Sequence, residues 1–339
     1  MATAVADAPA PARWFGERVR VAEVEARVSE LRYRLAADGR IPARTSVLNL
    51  VAWAPDEATA GAVQDVVDHL SDHHPSRAVI LTPAPGGDGI DARAEAAVRP
   101  GPDGRPVEVE RVLLILHGRV MEHAASVVVP LLRTDLTTFL WWPERPDAAD
   151  PALRDLCGVA DRIVTEAGRD GAGPEAVAAL AALARTDGPG VTDLAWAAVT
   201  PWRQVVALTM RGSALRSLQE GDARARVTGG GAEPPLEAML VAGWLGNLVG
   251  PHAEVAVEGR AGERPGLCSI ELHGAGGEVC AIFRSEEARS VMVRTPSGER
   301  SLPLPATSRP ALLAGELELR THDRPFERAV RRAATIAAG

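Results

Sequence analysis

A strand, a helix and a second strand follow one another within residues 46–82, and this order limits the folds open to the chain. Residues 46–53 and 77–82 are mostly apolar, as strands buried on both faces are. Asp56 can cap the helix between them. The apolar positions of that helix recur at helical spacing: Ala62, Val63, Val66, Val67 and Leu70. Strands joined in this way pair in parallel, which predicts an α/β fold with an open, mostly parallel sheet.

Similar patterns extend this α/β domain over residues 13–168, after a disordered Ala/Pro leader at residues 1–12. An amphipathic helix ahead of the sheet is predicted from apolar residues spaced three and four apart: Val21, Val24, Val28, Leu31 and Leu35. The other predicted strands are residues 92–98, 107–116, 136–142 and 162–165. A helix is expected over residues 119–133, where Pro130 kinks or ends it, and another begins at Asp150. Helices therefore flank the sheet.

Residues 169–339 are predicted to form a second domain of the α+β class. The expected helices are residues 174–185, 193–219, 236–248, 312–319 and 325–336. Between them lie short alternating segments that predict a small antiparallel sheet: residues 253–257, 267–272, 279–283 and 291–294. Pro201 is a candidate break in the second of these helices. The three glycines at positions 229–231 are read as a loop.

The chain contains no lysine, because all 37 of its basic residues are arginine. Lysine amines contact nucleotide phosphates in P-loops and kinases and form Schiff bases, so these chemistries are excluded. The G-x-S-x-G and H-E-x-x-H motifs are also missing. A net charge of −8 argues against nucleic acid or an anionic membrane as the main partner. We therefore expect no catalytic residue, no cofactor and no metal ion.

Three further features are typical of a cytoplasmic protein. No apolar run reaches the roughly 20 residues that a transmembrane helix needs. The first residues lack the basic and apolar segments of a secretory signal. The three cysteines, Cys157, Cys268 and Cys280, do not make a disulfide framework. Cys268 and Cys280 lie in neighbouring predicted strands, so a redox-active pair is an alternative to apolar packing.

Two places in the α/β domain are candidates for a small ligand. Ser76 and Arg77 can hold an anion such as a sugar phosphate. The glycine-rich residues 86–89 lack the spacing of a dinucleotide-binding loop. His69 and His73, four apart on one helical face, can in principle bind a metal ion, but no third ligand has the required spacing.

Two carboxylates, Glu108 and Glu110, alternate along one predicted strand and therefore share a face. They are either a functional carboxylate pair or part of a solvated strand face. The second interpretation is favoured, because glutamate side chains are seldom buried.

Tryptophan supplies most of the aromatic surface, with seven Trp against four Phe and one Tyr. Four of the seven lie in two short stretches, Trp141-Trp142 and Trp196 to Trp202, the latter followed by Arg203. Each indole is either a core residue or an anchor of a protein interface, where Trp and Arg are enriched. Arg203 can stack on an indole or pair with a carboxylate.

At these residues the sequence resembles the OpcA family of glucose-6-phosphate dehydrogenase assembly proteins. The resemblance covers roughly residues 40–250 and rests on several segments in the family's order. They are Arg44-Thr45-Ser46-Val47-Leu48-Asn49-Leu50-Val51, His74-Pro75-Ser76-Arg77, Val129-Pro130-Leu131-Leu132 through Asp135 to Leu140-Trp141-Trp142, Ala160-Asp161-Arg162-Ile163-Val164, Asp193-Leu194 through Trp196 to Thr200-Pro201-Trp202-Arg203, and Gly243-Trp244-Leu245.

The resemblance implies a non-catalytic cytosolic protein that binds glucose-6-phosphate dehydrogenase and promotes its active oligomer. Such binding supports NADPH production in the oxidative pentose phosphate pathway. The candidate anchors are Trp141, Trp142, Trp196, Trp202 and Arg203. One alternative is a sugar-phosphate or nucleotide sensor, or an enzyme, that uses the α/β domain near Ser76, Arg77 and residues 86–89. Another is a structural scaffold without effect on activity.

Overall fold

The computed structural model describes residues 11–37, 46–71, 74–100, 106–184, 188–210, 212–219, 223–250, 252–285 and 289–339. The strands are β1 (Ala12–Gly16), β2 (Leu48–Trp53), β3 (Ser76–Ala84), β4 (Gly89–Pro100), β5 (Pro106–His117), β6 (Thr138–Trp142), β7 (Arg162–Thr165), β8 (Gly190–Asp193), β9 (Arg224–Gly230), β10 (Glu254–Arg260), β11 (Gly266–Gly274), β12 (Gly277–Arg284), β13 (Ser290–Thr295) and β14 (Gly298–Pro303).

The α-helices are α1 (Val21–Ala37), α2 (Glu57–Leu70), α3 (Ala124–Val128), α4 (Pro151–Cys157), α5 (Gly173–Leu183), α6 (Leu194–Ala198), α7 (Thr200–Thr209), α8 (Ser213–Gln219), α9 (Leu236–Val249), α10 (Arg309–Glu316) and α11 (Arg324–Ala337). Among the helices described, none combines the length and apolar character that crossing a membrane requires.

The chain divides into two compact units. The first consists of the described residues up to Pro143, together with Ala149–Val164 and Arg309–Thr321. The second consists of Glu144–Ala148, Thr165–Ser308 and His322–Gly339. Each unit is therefore assembled from separate stretches of the chain. The division into domains at residues 13–168 and 169–339 stays a prediction.

In the first unit, strands follow one another in the order β1-β4-β5-β3-β2-β6-β7. Strand β3 pairs in parallel with β2 and β5, and β2 pairs in parallel with β6. Strand β4 pairs antiparallel with β1 and β5. The predicted strand–helix–strand unit is confirmed as β2, α2 and β3, with β2 and β3 parallel. As predicted, Asp56 caps α2 by accepting a hydrogen bond from Thr59 N at 2.6 Å. The expected mostly parallel α/β sheet is thus present.

Two predictions for the first unit were wrong. The helix expected over residues 119–133 is α3 between two 3₁₀ turns, Gly118–His123 and Val129–Leu131. The predicted early end at Pro130 is confirmed, because Pro130 lies in the second turn and has no N–H to continue an α-helix. The leader expected at residues 1–12 is too long, because Ala12 already begins β1; residues 1–10 lie outside the described part of the chain.

The second unit contains a sheet in the order β10-β9-β11-β12-β13-β14. Strands β9 and β10 are parallel and are joined through α9, whereas the remaining pairs are antiparallel. The predicted small antiparallel sheet is confirmed in its β11–β13 part. Helix α9 is the apolar centre of the unit, and most of its residues are buried.

Two predictions for the second unit were also wrong. The helix expected over residues 193–219 is three helices, α6, α7 and α8, and Asp193 ends β8 before capping α6. The predicted break near Pro201 is confirmed, because α6 ends at Ala198 and α7 begins at Thr200, with Pro201 in its first turn. The glycines read as a loop include the end of β9: a Cβ on Gly230 would lie 1.8 Å from Arg264 O. Glycine is needed there because another backbone approaches closely.

Candidate functional site

The first tryptophan stretch ends β6 in the interior of its unit. Trp141 and Trp142 are at most 1% exposed. They point to opposite faces of the sheet, since successive strand residues alternate. Trp142 stacks on Trp53 of β2, with 4.9 Å between ring centroids and 8° between ring planes. On the other face, the Arg309 guanidinium carbon lies 4.9 Å from the centre of the Trp141 ring.

The second stretch joins α6 to the start of α11. Trp196 is 1% exposed, and its Nε1 donates a hydrogen bond to Asp323 Oδ2 at 2.9 Å. Asp323 also caps α11 by accepting from Phe326 N at 3.0 Å. The Phe326 ring meets the Trp196 ring edge-on, with 5.8 Å between their centroids. The indole N–H therefore has a partner, as a buried tryptophan requires.

Arg203 covers the outer side of this arrangement. Its guanidinium carbon lies 3.5 Å from the centre of the Trp196 ring. Its Nη2 donates to Thr200 Oγ1 at 2.7 Å and to Trp196 O at 3.2 Å. Stacking and hydrogen bonding fix the planar guanidinium on the indole. The predicted stacking of Arg203 on an indole is therefore present.

The exposed fractions of these side chains distinguish the buried indoles from the residues on the outer side of α7. Trp141, Trp142, Trp196 and Trp202 are all less than 5% exposed, so in this conformation the indoles are core residues. Arg203 is half-buried and lies on the outer side of α7. It shares that side with three exposed residues. We call this set the α7 face: Arg203, Gln204, Ala207 and Leu208.

The α7 face borders an open groove of about 650 Å³. Leu208 is 53% exposed and lines the groove. The lining of the groove also includes the turn between β13 and β14. Arg300 of β14 donates through Nη2 to Thr209 Oγ1 at 3.4 Å. The face thus offers an apolar side chain and an oriented cation beside a concave surface.

Ser76 and Arg77, the candidate anion site, are buried at the start of β3. Arg77 forms an ion pair with Glu25, and its Nε lies 3.6 Å from Glu110 Oε2. Carboxylates thus already face the Arg77 guanidinium. This arrangement argues against an anion binding there, because the anion would be repelled by those carboxylates.

Glu110 is the centre of a buried ionic cluster. Its Oε1 lies 2.6 Å from Arg32 Nε and 2.9 Å from Arg133 Nη2, and Arg32 Nε also lies 2.8 Å from Glu108 Oε1. Burial raises the pKa of the Glu110 carboxyl, while Arg32, Arg77 and Arg133 act to lower it. The predicted solvated face was therefore wrong: Glu108 and Glu110 are buried because arginines compensate them.

The glycine-rich loop does not join Ser76 and Arg77 in one site. It follows β3, whereas Ser76 and Arg77 begin that nine-residue strand. Arg18 Nη1 donates to Gly87 O at 2.6 Å and to Asp88 O at 2.7 Å. The alternative that combined the loop with Ser76 and Arg77 was therefore wrong about their proximity.

The metal and redox alternatives find no support among the described residues. No group of three or more potential metal ligands occurs in the part of the chain described, and His73 lies outside it. Cys280 lies opposite Leu272 in the β11–β12 ladder, and Cys268 is four residues further along β11. The two thiols therefore do not face each other. Burial raises the pKa of Cys280 to about 12 and also raises that of Cys268.

Family models match most of the chain. Residues 67–185 match the model described as the glucose-6-phosphate dehydrogenase subunit N-terminal domain. Residues 189–330 match the model described as the C-terminal domain of the same subunit. The chain belongs to the OpcA glucose-6-phosphate dehydrogenase assembly family. The OpcA resemblance quoted above reaches only about residue 250, and the second model extends the match into α11.

Two solved structures resemble this OpcA-family chain weakly. One is a crystal structure of glucose-6-phosphate 1-dehydrogenase from Mycobacterium avium, with 12% identity, a TM-score of 0.43, and coverage of 86% of this chain and 91% of that one. The other is an oxidoreductase from Sinorhizobium meliloti, with 10% identity, a TM-score of 0.35, and coverage of 87% and 89%. No curated protein matches the sequence.

Proposed function

We propose that this OpcA-family chain is a non-catalytic subunit that binds glucose-6-phosphate dehydrogenase, promotes its active oligomer and thereby activates it. The proposed setting is the cytoplasm, where the complex would support NADPH production in the oxidative pentose phosphate pathway. The absence of lysine and of the hydrolase and zinc motifs supports a role without catalysis.

The α7 face is the observation that carries the proposal. It begins in the family segment 200–203 and presents Arg203 in a fixed orientation beside exposed Leu208. Arginine is enriched among the residues that dominate binding energy, and a side chain already ordered loses less entropy on binding. We infer that Trp196 and Trp202 contribute by holding Arg203 and α7 in place. Trp141 and Trp142 support the other unit in the same indirect way.

Activation requires a difference in affinity between the forms of the partner. A protein that bound active and inactive dehydrogenase equally well would not change their ratio. Moving a population from 1:99 to 99:1 takes about a 10⁴-fold difference, or about 5.5 kcal/mol. The interface should therefore include surface that the dehydrogenase forms only on assembly.

Size-exclusion chromatography with light scattering tests the proposal on this chain, the cognate dehydrogenase and their mixture. We expect the mixture to elute as a larger species whose fractions have raised dehydrogenase activity. The substitution Leu208→Asp should abolish co-elution, since it places a charge on the α7 face. Leu319→Asp is the matched control, because Leu319 is 40% exposed and belongs to the first unit. It should bind normally.

Separate elution with unchanged activity, with and without glucose 6-phosphate, would overturn the proposed function. Equal loss of binding in the two leucine variants would reject the α7 face but keep the function. Arg203→Lys refines the test, because lysine keeps the charge and loses the planar stacking. We expect it to weaken binding, whereas a purely electrostatic contact would tolerate it.

A further inference from the structure

We infer that the second unit carries a binding site for the phosphate group of a phosphorylated small molecule, at the end of its sheet where β9, β10 and β12 finish. This site lies apart from the α7 face and is independent of the proposed function. The observations that carry it are a cavity of about 460 Å³, three arginines around it, and a buried hydroxyl without a hydrogen-bond partner among the described residues.

The floor of the cavity is a row of three residues on adjacent strands. Ser269 of β11 is opposite Thr228 of β9 in one ladder and opposite Phe283 of β12 in the other. Residues opposite each other in a ladder point to the same face of the sheet. Their chain neighbours point the other way and are fully buried: Val227, Ile270 and Ile282. The row therefore lines the sheet face away from this core.

Thr228 is the unusual member of the row. Its side chain is 1% exposed, and none of the described residues forms a hydrogen bond with its Oγ1. Buried hydroxyls are normally hydrogen-bonded, because burying one without a partner costs free energy. The residue lines the cavity, so an oxygen atom of a bound ligand can accept its hydrogen bond.

The wall of the cavity is strongly basic. Arg260 ends β10, Arg264 lies in the loop between β10 and β11, and Arg284 ends β12. Arg284 Nη1 donates to Pro265 O at 3.3 Å, which holds its guanidinium beside that loop. Among the described lining residues, Glu263 is the single carboxylate. Positive charge is therefore concentrated here in a chain whose net charge is −8.

This combination favours a phosphate monoester. Guanidinium groups bind phosphate through paired hydrogen bonds, and three of them suit a dianion better than a carboxylate with one charge. The cavity falls within the usual range for small-ligand pockets. The Phe283 ring adds an apolar surface against which a sugar or base can rest.

Isothermal titration of the isolated full-length chain tests the site without the dehydrogenase. The probes are inorganic phosphate and glucose 6-phosphate, with glucose at equal ionic strength as the uncharged control. We expect both phosphates to bind and glucose not to bind. Arg284→Gln should weaken binding about tenfold or more, because it removes a charge-assisted hydrogen bond. Thr228→Val should weaken it about threefold without lowering the stability of the free protein.

Arg224→Gln is the matched control, since Arg224 begins β9 at the other end of the same strand and lies 3.7 Å from Glu254. It should leave the affinity unchanged. Equal losses in the Arg224 and Arg284 variants would mean diffuse electrostatic attraction and would overturn the site. Absence of binding by both phosphates would overturn it as well. Neither result bears on binding to the dehydrogenase, so the two proposals fail separately.

Discussion

Glu110 is a buried carboxylate that contacts three arginines of the first unit. Replacing it with glutamine keeps the shape and removes the charge that Arg32, Arg77 and Arg133 share. Breaking a buried ionic network by removing one partner leaves uncompensated charge. We expect Glu110→Gln to lower the free energy of unfolding by about 1–3 kcal/mol in urea denaturation, because the arginines lose a shared partner while burial already disfavours the charged carboxyl.

Glu254→Gln provides the comparison for that experiment. Glu254 faces Arg224 on the protein surface, where the side chains are 76% and 70% exposed. Exposed ion pairs contribute little to stability, so no measurable change is expected. A similar loss in both variants would show that Glu110 has no special role in the cluster.

Asp193 makes the protein less stable as the pH rises towards 7, whereas most carboxylates make a protein less stable as the pH falls. Burial raises its pKa to about 7, although it accepts hydrogen bonds from Ala167 N, Thr165 Oγ1 and Ala195 N. The folded state therefore binds more protons than the unfolded state between about pH 4 and pH 7. Its contribution to stability is greatest at the acidic end and is lost as the pH rises towards 7.

The substitution Asp193→Asn should remove this dependence. Urea unfolding at several pH values between 4.5 and 7.5 measures the free energy of unfolding of both proteins. The difference in this free energy between wild type and variant should shrink as the pH rises. Asp56 is the comparison, because its hydrogen bonds with Thr59 lower its pKa. Its stabilisation is lost only at pH values below its ordinary pKa. A pH-independent difference for Asp193→Asn would contradict the prediction.

For single residues, helix-capping roles were predicted correctly from the sequence, whereas the burial of charged side chains was not. Asp56 and Asp150 were identified because a capping carboxylate acts within three residues of chain. Burial of Glu108 and Glu110 depends on Arg32, Arg77 and Arg133, which are distant in sequence. Of the α7 face, only Arg203 was identified from the sequence; Gln204, Ala207 and Leu208 were missed.

Among the elements, helices and buried strands with a clear period were predicted well. Four short strands were missed: β1, β8, β9 and β14. Of these, β9 and β14 have few apolar residues and obtain their order from neighbouring strands. The helix expected over residues 193–219 failed because Asp193 belongs to a strand and caps the short helix after it. Both kinds of error arise where pairing with distant strands outweighs local pattern.

Helix α9 depends on a glycine for its packing with α11. A Cβ on Gly243 would lie 2.1 Å from Ala329 O and 2.7 Å from Ala333 N, both backbone atoms. Alanine normally stabilises a helix interior relative to glycine, but here it would push two helices apart. We expect Gly243→Ala to lower the free energy of unfolding by about 1–3 kcal/mol.

The chain offers a matched glycine on another helix. Gly61 lies within α2, and a Cβ there would meet nothing within 4 Å. Gly61→Ala should therefore raise the free energy of unfolding by about 1 kcal/mol. Thermal unfolding of the two variants should shift the midpoint in opposite directions. Shifts of the same sign would show that helix propensity, rather than the close approach of α9 and α11, decides the outcome.

For the whole molecule, the last 31 residues contribute one helix to each unit. Helix α10 belongs to the first unit, where Glu316 Oε2 lies 2.8 Å from Nη2 of the fully buried Arg162. Helix α11 belongs to the second, where it packs on α9 and α5. Local patterns predicted both helices but not their assignment to different units, because that depends on contacts between residues far apart in the sequence.

Two truncated chains should separate these contributions. A chain that ends at Ser308 lacks both helices, so amide hydrogen exchange should become faster in α2, on which α10 packs, and also in α9. A chain that ends at Thr321 keeps α10 and the carbonyl that accepts from Arg162 Nη1. In that chain only α9 and α5 should exchange faster, while α2 keeps its protection. Faster exchange of α2 in both chains would contradict the assignment of the two helices to separate units.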